Sequence, residues 1–280
     1  MRSKFGSELT NRQLSIFYFL LVTGVIIVIV PFIWMILTSF KTWEETTTVP
    51  VVIIPASLYL GAYEMVNDMF DIWRLYFNTI SFMALRVLFA CLTASMAGYA
   101  LARLKFPGKT LFFYLVLIQL MVPWQVFVVP QFLMVARMGF LNTIFALVFP
   151  GLVTTFGTFL LRQFFMSLPS SIEESAKIDG ANPFKIFIRI MLPMVNSGLV
   201  AVAIFTALWA FRDLLWPLLV TTDSTRMPLA PALASIIGQS MTYWNRNMAA
   251  ATLASIPMII IYIFFQRRFV QGMATSGMKL

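Results

Sequence analysis

Long apolar stretches separated by short polar connections dominate this chain. They lie near residues 15–38, 76–101, 111–134, 143–166, 194–220 and 249–266. A helix of roughly 20 apolar residues crosses the hydrocarbon of a bilayer, so each stretch is read as a span. The runs are continuous and do not alternate, which excludes the strands of a membrane barrel. In lipid the backbone must satisfy its own hydrogen bonds, so the spans are predicted to be helices. The expected architecture is an all-α membrane protein with six transmembrane helices. The first stretch is too long for a signal core of roughly 7–15 residues, and Ser39-Phe40-Lys41-Thr42-Trp43 after it offers no small-residue cleavage site. It is read as a permanent anchor. Pro31, Pro123, Pro130, Pro150, Gly151, Gly157, Pro217 and Pro257 interrupt the runs. Broken helices in a bundle often line a path, although proline is also simply common in membrane helices.

The charge content agrees with a membrane solvent: 11% of residues are charged, against roughly 25% in soluble domains. The net charge of +9 does not indicate nucleic acid, because the cations sit in short clusters between apolar runs. Their distribution sets the orientation. With the N-terminus inside, thirteen of the twenty cations fall on the cytoplasmic side: Arg2, Lys4, Arg12, Arg103, Lys105, Lys109, Arg162, Lys177, Lys185, Arg189, Arg267, Arg268 and Lys279. Five fall outside (Lys41, Arg74, Arg137, Arg226, Arg246), and Arg86 and Arg212 lie within spans. Cytoplasmic loops carry the excess of Lys and Arg, so both termini are predicted to be cytoplasmic. The expected division is a cytoplasmic segment 1–14, a membrane domain 15–270 and a cytoplasmic tail 271–280.

Enzymatic chemistry is poorly provided for. There is no histidine, hence no HExxH metal site and no Ser–His dyad, and the single cysteine, Cys91, allows no internal disulfide. Gly108-Lys109-Thr110 resembles the tail of a phosphate loop, but Arg103 stands where that loop needs its first glycine. Pro107-Gly108-Lys109 is read as a turn between the second and third spans.

The informative connection is Leu168–Pro193, LPSSIEESAKIDGANPFKIFIRIMLP. Ser170 with Glu173, or Ser171 with Glu174, has the spacing of a capping box. Gly180 is placed to end that helix in a left-handed cap, and Asn182 with Pro183 to start a second one. The second helix would carry Phe184, Phe187, Ile188 and Met191 on one apolar side. Two readings fit such a piece: an amphipathic connector lying on the bilayer surface, or a docking element for the groove of a soluble partner.

The same segment resembles the EAA loop of importer-type ABC permeases, with its pattern of EAA, three residues, Gly, nine residues, Ile, one residue and Leu-Pro. Glu174-Ser175-Ala176 fills the triplet, Gly180 follows the spacer, and Ile190 to Pro193 close the motif. Ser175 replaces the middle alanine, a small-for-small change. Phe77-Asn78-Thr79, Gly98-Tyr99-Ala100-Leu101-Ala102-Arg103 with Phe106-Pro107-Gly108, Gly139 with Asn142-Thr143, Gln266-Arg267 and Phe269-Val270-Gln271-Gly272 extend the resemblance from the first span to the end. It is closest to the carbohydrate-uptake branch, to permeases like the second membrane subunit of the maltose transporter. The resemblance implies the type I ABC importer permease fold, with a cytoplasmic coupling helix in the loop 168–193. It implies a complex with a second homologous permease, two ATPase subunits that bind ATP and Mg, and an extracytoplasmic solute-binding protein. This chain would hold no cofactor and hydrolyse nothing. The residues so implicated in ATPase coupling are Glu173, Glu174, Ser175, Ala176, Asp179 and Gly180.

Charges inside spans are functional candidates. Arg86, Arg212, Asp213 and the nearby Trp216 are therefore candidates for the substrate path, Trp216 as a platform for a sugar ring. The plainer reading is that Arg212 and Asp213 pair with neighbours or snorkel to the outer surface. An importer of glycerol phosphate or of a polyol fits the same features. An ion-coupled secondary transporter fits the spans but not the EAA spacing, and no inverted repeat is visible.

Overall fold

A computed structural model of the 280-residue chain describes residues 11–239 and 243–277. The described residues contain helices and no strand. In order they are α1 (Asn11–Ser39), α2 (Trp43–Thr47), α3 (Gly61–Met69), α4 (Ile72–Arg103), α5 (Lys109–Met121), α6 (Val128–Arg137), α7 (Ile144–Val148), α8 (Thr155–Ser167), α9 (Ser170–Ile178), α10 (Pro183–Ile186), α11 (Leu192–Met194), α12 (Asn196–Arg212), α13 (Leu215–Val220), α14 (Leu229–Gln239) and α15 (Trp244–Gly277). Short 3₁₀ turns precede α6 and follow α7, and a π-helical stretch, Phe187–Met191, joins α10 to α11.

Among the described residues, three helices are long and apolar enough to cross a membrane unbroken, and three bent pairs bring the possible spans to six. The predicted third span is not one rod. It bends by 103° between Met121 and Trp124. The cause is Pro123, which forces the preceding Val122 into an extended conformation, φ −85° and ψ 126°. The fourth span bends by 48° at Pro150 and Gly151, and restarts where Thr154 caps α8 by accepting from Gly157 N–H. The predicted stretch 194–220 is also interrupted. Helix α12 ends at Arg212 and α13 restarts at Leu215, because Pro217 has no N–H for the Asp213 carbonyl and its ring would collide with it. Pro31 and Pro257, in contrast, sit inside continuous helices. The last helix also overruns the predicted span and reaches Gly277, so most of the expected tail 271–280 is helical. Residues 1–10 of the expected N-terminal segment and 278–280 of the tail lie outside the described residues.

The described residues divide into two compact units, one of 11–69 with 235–239 and 243–255 and the other of 70–234 with 256–277. In the first, α1 is apolar on every side and exposed throughout its hydrophobic length, the pattern of a helix solvated by lipid or by a membrane partner. The acidic connection after it is folded. Thr42 and Glu45 form a reciprocal capping box at α2, and Ser39 Oγ lies 2.7 Å from Tyr63 Oη of α3. Lys41 is buried here: its ammonium donates to Val52 O at 2.6 Å and lies 4.2 Å from the centre of the Trp34 ring. Asn245 Nδ2 donates to Lys41 O at 3.1 Å.

In the second unit α4 is the central helix and packs chiefly against α8 and α12. The approach of α4 to α8 is close at Gly98, where an added Cβ would lie 3.0 Å from Arg162 N. Small residues at such crossings let membrane helices gain dispersion contacts that lipid does not supply. One core cluster, with Ala94, Tyr99, Leu161, Phe165, Val195 and Val202, also takes in Ala176, Ile186, Phe187 and Met191 from the loop 168–193. A second cluster gathers Phe82, Val128, Val135, Leu147, Ala210, Trp216 and Val220.

Candidate functional site

The helix ends beside the loop 168–193 are held by cations. The last carbonyls of α4 have no partner within their own helix. Ala100 O takes Leu104 N–H. Leu101 O accepts from Arg162 Nε at 3.3 Å, and Ala102 O and Leu104 O accept from Lys109 Nζ at 3.1 and 3.0 Å. Arg103, the last residue of α4, reaches the other way. Its guanidinium donates to Phe165 O at 3.0 and 2.6 Å and to Leu168 O, at the end of α8. Positive charge at a helix C-terminus is favourable, so α4 and α8 each cap the other's end.

The loop itself begins with α9. The predicted capping box is not formed: Pro169 occupies the cap position and supplies no side-chain acceptor. Glu173 does not reach back to the helix start because it turns inward. Its side chain is 9% exposed and its carboxylate lies 3.6 Å from Arg103 Nε. The end of α9 follows prediction. Gly180 adopts φ +75°, its N–H bonds Lys177 O, and Ala181 N–H bonds Ala176 O, both at 3.0 Å. This is the paired bonding of a Schellman cap. Asn182 Oδ1 then accepts from Lys185 N–H at 2.8 Å, with Pro183 at the first position of α10.

The segment therefore has two faces. Glu173, Ala176, Ile186, Phe187 and Met191 point inward, where Phe187 joins Tyr99 and Phe165 in an aromatic group with ring centres 5.1 to 6.3 Å apart. Glu174, Ser175, Lys177, Ile178, Asp179 and Gly180 point outward. The predicted single apolar side of the second helix is split. Phe187 and Met191 are buried, whereas Phe184 and Ile188 are exposed and line a shallow concavity with Asn182, Lys185 and Arg189. The core takes one i,i+4 row and leaves the neighbouring row outside. Among the predicted coupling residues, then, Glu173 and Ala176 are internal and the other four are accessible.

The substrate-path candidates separate in the same way. Arg86 NH1 donates to Asp213 Oδ2 at 2.9 Å, both side chains being nearly enclosed. Asp213 Oδ1 also accepts from Trp216 N–H at 3.4 Å, so the pair sits at the break between α12 and α13. Trp216 is fully buried and its indole donates to Ala146 O at 2.8 Å. It is a core residue here and offers no ring face, which corrects its reading as a sugar platform. Arg212 alone of the four is exposed.

Sequence reasoning missed two further constellations. Asn142 holds a left-handed φ of 59°, and its Oδ1 accepts from Thr222 N–H at 2.7 Å and Asp223 N–H at 2.9 Å. Arg226 NH1 donates to Asn142 O at 3.0 Å. This ties the connection 221–228 to the turn before α7. Within that connection the Thr225 hydroxyl and N–H, and then Arg226, hold the Asp223 carboxyl below the usual carboxylate range. The second is the Lys41–Glu45 group. N–H donation from Ala56 and then Thr42 lowers the Glu45 pKa, while burial lowers that of Lys41 against the opposing charge of Glu45. The signal for Asn142 was its tolerance of positive φ in Gly139-Phe140-Leu141-Asn142-Thr143; Lys41 gave none. Among the described residues no group of three or more metal-ligating side chains occurs.

The model of one protein family, the inner membrane component of binding-protein-dependent transport systems, matches residues 91–275. The chain belongs to this family. The match spans the whole loop 168–193 with its two faces, and makes this chain a transport subunit of the inner membrane. Curated relatives agree over nearly the full length of the permease. It is 31% identical to the arabinooligosaccharides transport system permease protein of Halalkalibacterium halodurans, over 90% of this chain and 92% of that one. It is 31% identical to the sn-glycerol-3-phosphate transport system permease proteins of Pectobacterium atrosepticum and Escherichia coli, over 95% of this chain and 98% of each. A crystal structure of a bacterial ABC transporter involved in the import of the acidic polysaccharide alginate has a chain of the same fold. Its TM-score is 0.77, at 22% identity, covering 92% of this chain and 98% of that one.

Proposed function

We propose that this permease forms half of the translocation pore of an ATP-driven, binding-protein-dependent importer of carbohydrate. In this reading it has six spans, three of them bent, and both termini are cytoplasmic, an orientation supported by the excess of Lys and Arg in the connections assigned to that side. A second homologous permease completes the pore, two ATPase subunits bind ATP and Mg below it, and a solute-binding protein delivers the substrate from outside. The permease itself holds no cofactor and hydrolyses no ATP. The loop 168–193 is the coupling element. The observation that carries this reading is the division of α9 and α10: one face is built into the permease core, and the other presents Glu174, Ile178 and Phe184 to solvent. Ile178 is 86% exposed and Phe184 66%. Apolar anchors beside a carboxylate at a helix surface are what a groove in a soluble partner recognises. Carbohydrate is favoured by the arabinooligosaccharide relative. The glycerol-phosphate relatives and the exposed Arg212 guanidinium support a second reading, an anionic solute.

The test is reconstitution of the complete transporter in proteoliposomes, with Glu174→Ala and Ile178→Asp in this chain. Both substitutions are expected to strip the ATPase subunits from the purified complex and abolish uptake. ATPase subunits retained by both variants would refute the docking role of this face. Uptake assayed with neutral oligosaccharides, acidic oligosaccharides and sn-glycerol 3-phosphate assigns the substrate class. ATP-independent uptake would discard the importer reading altogether.

A further inference from the structure

The inward half of the loop has a construction that docking does not require. Glu173 is next to Glu174 in sequence, but successive residues of a helix point about 100° apart, and Glu173 alone of the two faces the core. It is 7% exposed, and its Oε1 accepts no hydrogen bond. The nearest cation, Arg103 Nε at 3.6 Å, already donates to Phe165 O. Arg103 belongs to the last turn of α4, and its fork grips the carbonyls of Phe165 and Leu168 at the end of α8. One guanidinium thus joins three elements: α4 by its backbone, α8 by its hydrogen bonds and α9 by charge. A buried pair of this kind is weak evidence for stability, since desolvation offsets its attraction. Its geometric consequence is definite. When the helix that bears the carboxylate is displaced, its counter-ion is drawn after it, because separating the two in an apolar surrounding leaves both charges uncompensated.

We propose that Arg103 and Glu173 form a transmission strut, a positioning pair that carries displacement of α9 into the ends of α4 and α8. Glu173 does not contact the ATPase subunit. The π-helical stretch Phe187–Met191 and the bend of 76° at Val195 leave the far end of the loop a more compliant route into α12. The strut makes the near end the stiff one. Movement of the outward face is therefore delivered to α4 and α8 first, and these are the helices with the most extensive mutual packing in the unit.

This inference rests on the coupling role proposed for the loop, and the experiment separates the two. In the complete transporter in proteoliposomes, Glu173→Gln removes the charge and keeps the shape. The quantities measured are the amount of ATPase subunit copurified and the solute taken up per ATP hydrolysed. The expected result is an unchanged amount of ATPase subunit with uptake per ATP reduced about five-fold or more, and partial recovery in Glu173→Asp. Loss of the ATPase subunits in Glu173→Gln would make Glu173 a docking contact and overturn the proposal. Full uptake per ATP in an assembled complex would overturn it as well. If Glu173→Gln does not assemble, Arg103→Lys serves instead, keeping a cation near Glu173 but losing the fork onto Phe165 and Leu168; normal uptake per ATP in that variant refutes the strut. Failure of the coupling role itself is read separately, from retention of the ATPase subunits by Glu174→Ala and Ile178→Asp.

Discussion

Arg86 and Asp213 lie 127 residues apart in sequence and meet at 2.9 Å. Each alone would be an uncompensated charge within a predicted span, and together they neutralise one another where both side chains are nearly enclosed. Removing one partner of such a pair costs about 3–5 kcal/mol, because the other is left uncompensated. Arg86→Ala and Asp213→Ala should each destabilise the purified permease by about that much. Replacing both by leucine should cost less than either single change, as thermal unfolding in lipid would show. Gly151 belongs to the same arrangement, since an added Cβ would come within 2.7 Å of Arg86 Cδ and closer still to Nε. Gly151→Ala is therefore expected to lose stability with Arg86 present and little of it in an Arg86→Ala background. Equal losses in both backgrounds would mean that Gly151 acts through the backbone instead. Glu45 supplies a pH-dependent case outside the spans. Its folded pKa is lowered chiefly because Ala56 and Thr42 N–H groups bond the charged form. The stabilisation is complete above the ordinary carboxylate range and is lost as pH falls through the lowered value. Amide-exchange protection at Ala56, corrected for intrinsic rate, should be constant from neutral pH to about pH 5 and decline below about pH 4. A Glu45→Gln variant should show no such decline.

Among the elements, the prolines show how one residue type takes different roles by position. Pro31 and Pro257 are accommodated within long helices, whereas Pro123, Pro150 and Pro217 stand at breaks. The pattern of apolar residues predicts the spans but is blind to these breaks, since every residue around them remains apolar. The turn before α7 is a second case. Asn142 combines a positive φ with a side chain that satisfies two loop N–H groups. Asn142→Gly keeps the backbone conformation and loses the acceptor. Asn142→Asp keeps both. If the side chain organises the connection 221–228, amide exchange at Thr222 and Asp223 should rise at least about tenfold in the glycine variant, a loss of roughly 1–2 kcal/mol of local stability. The aspartate variant should retain protection. Equal protection in both would assign the order of this connection to the backbone of the turn.

At the scale of the whole molecule, the two cations predicted to lie within spans differ: Arg86 is committed to Asp213, whereas Arg212 is exposed and is proposed to meet the solute. Arg212→Ala is expected to reduce uptake of an anionic solute about tenfold while leaving assembly and uptake of neutral sugar intact. Equal uptake of both solutes by the variant would remove Arg212 from the substrate path. The class of the protein and its family were legible in the chain alone. Transfer of apolar side chains from water and the closure of backbone hydrogen bonds in lipid are local requirements, written residue by residue along each span. So were the Schellman end of α9 and the Asn182 cap, which depend on neighbours within a few residues. The chain did not reveal which of two adjacent glutamates is buried, which prolines bend a helix, or that Trp216 is sealed in a core. Each of those depends on which surfaces meet, and the partners lie tens to more than a hundred residues away. Arg103 could be recognised as a strut only once the ends of α4, α8 and α9 had been brought together, because the role of a charge is set by the groups that share its low-dielectric surroundings.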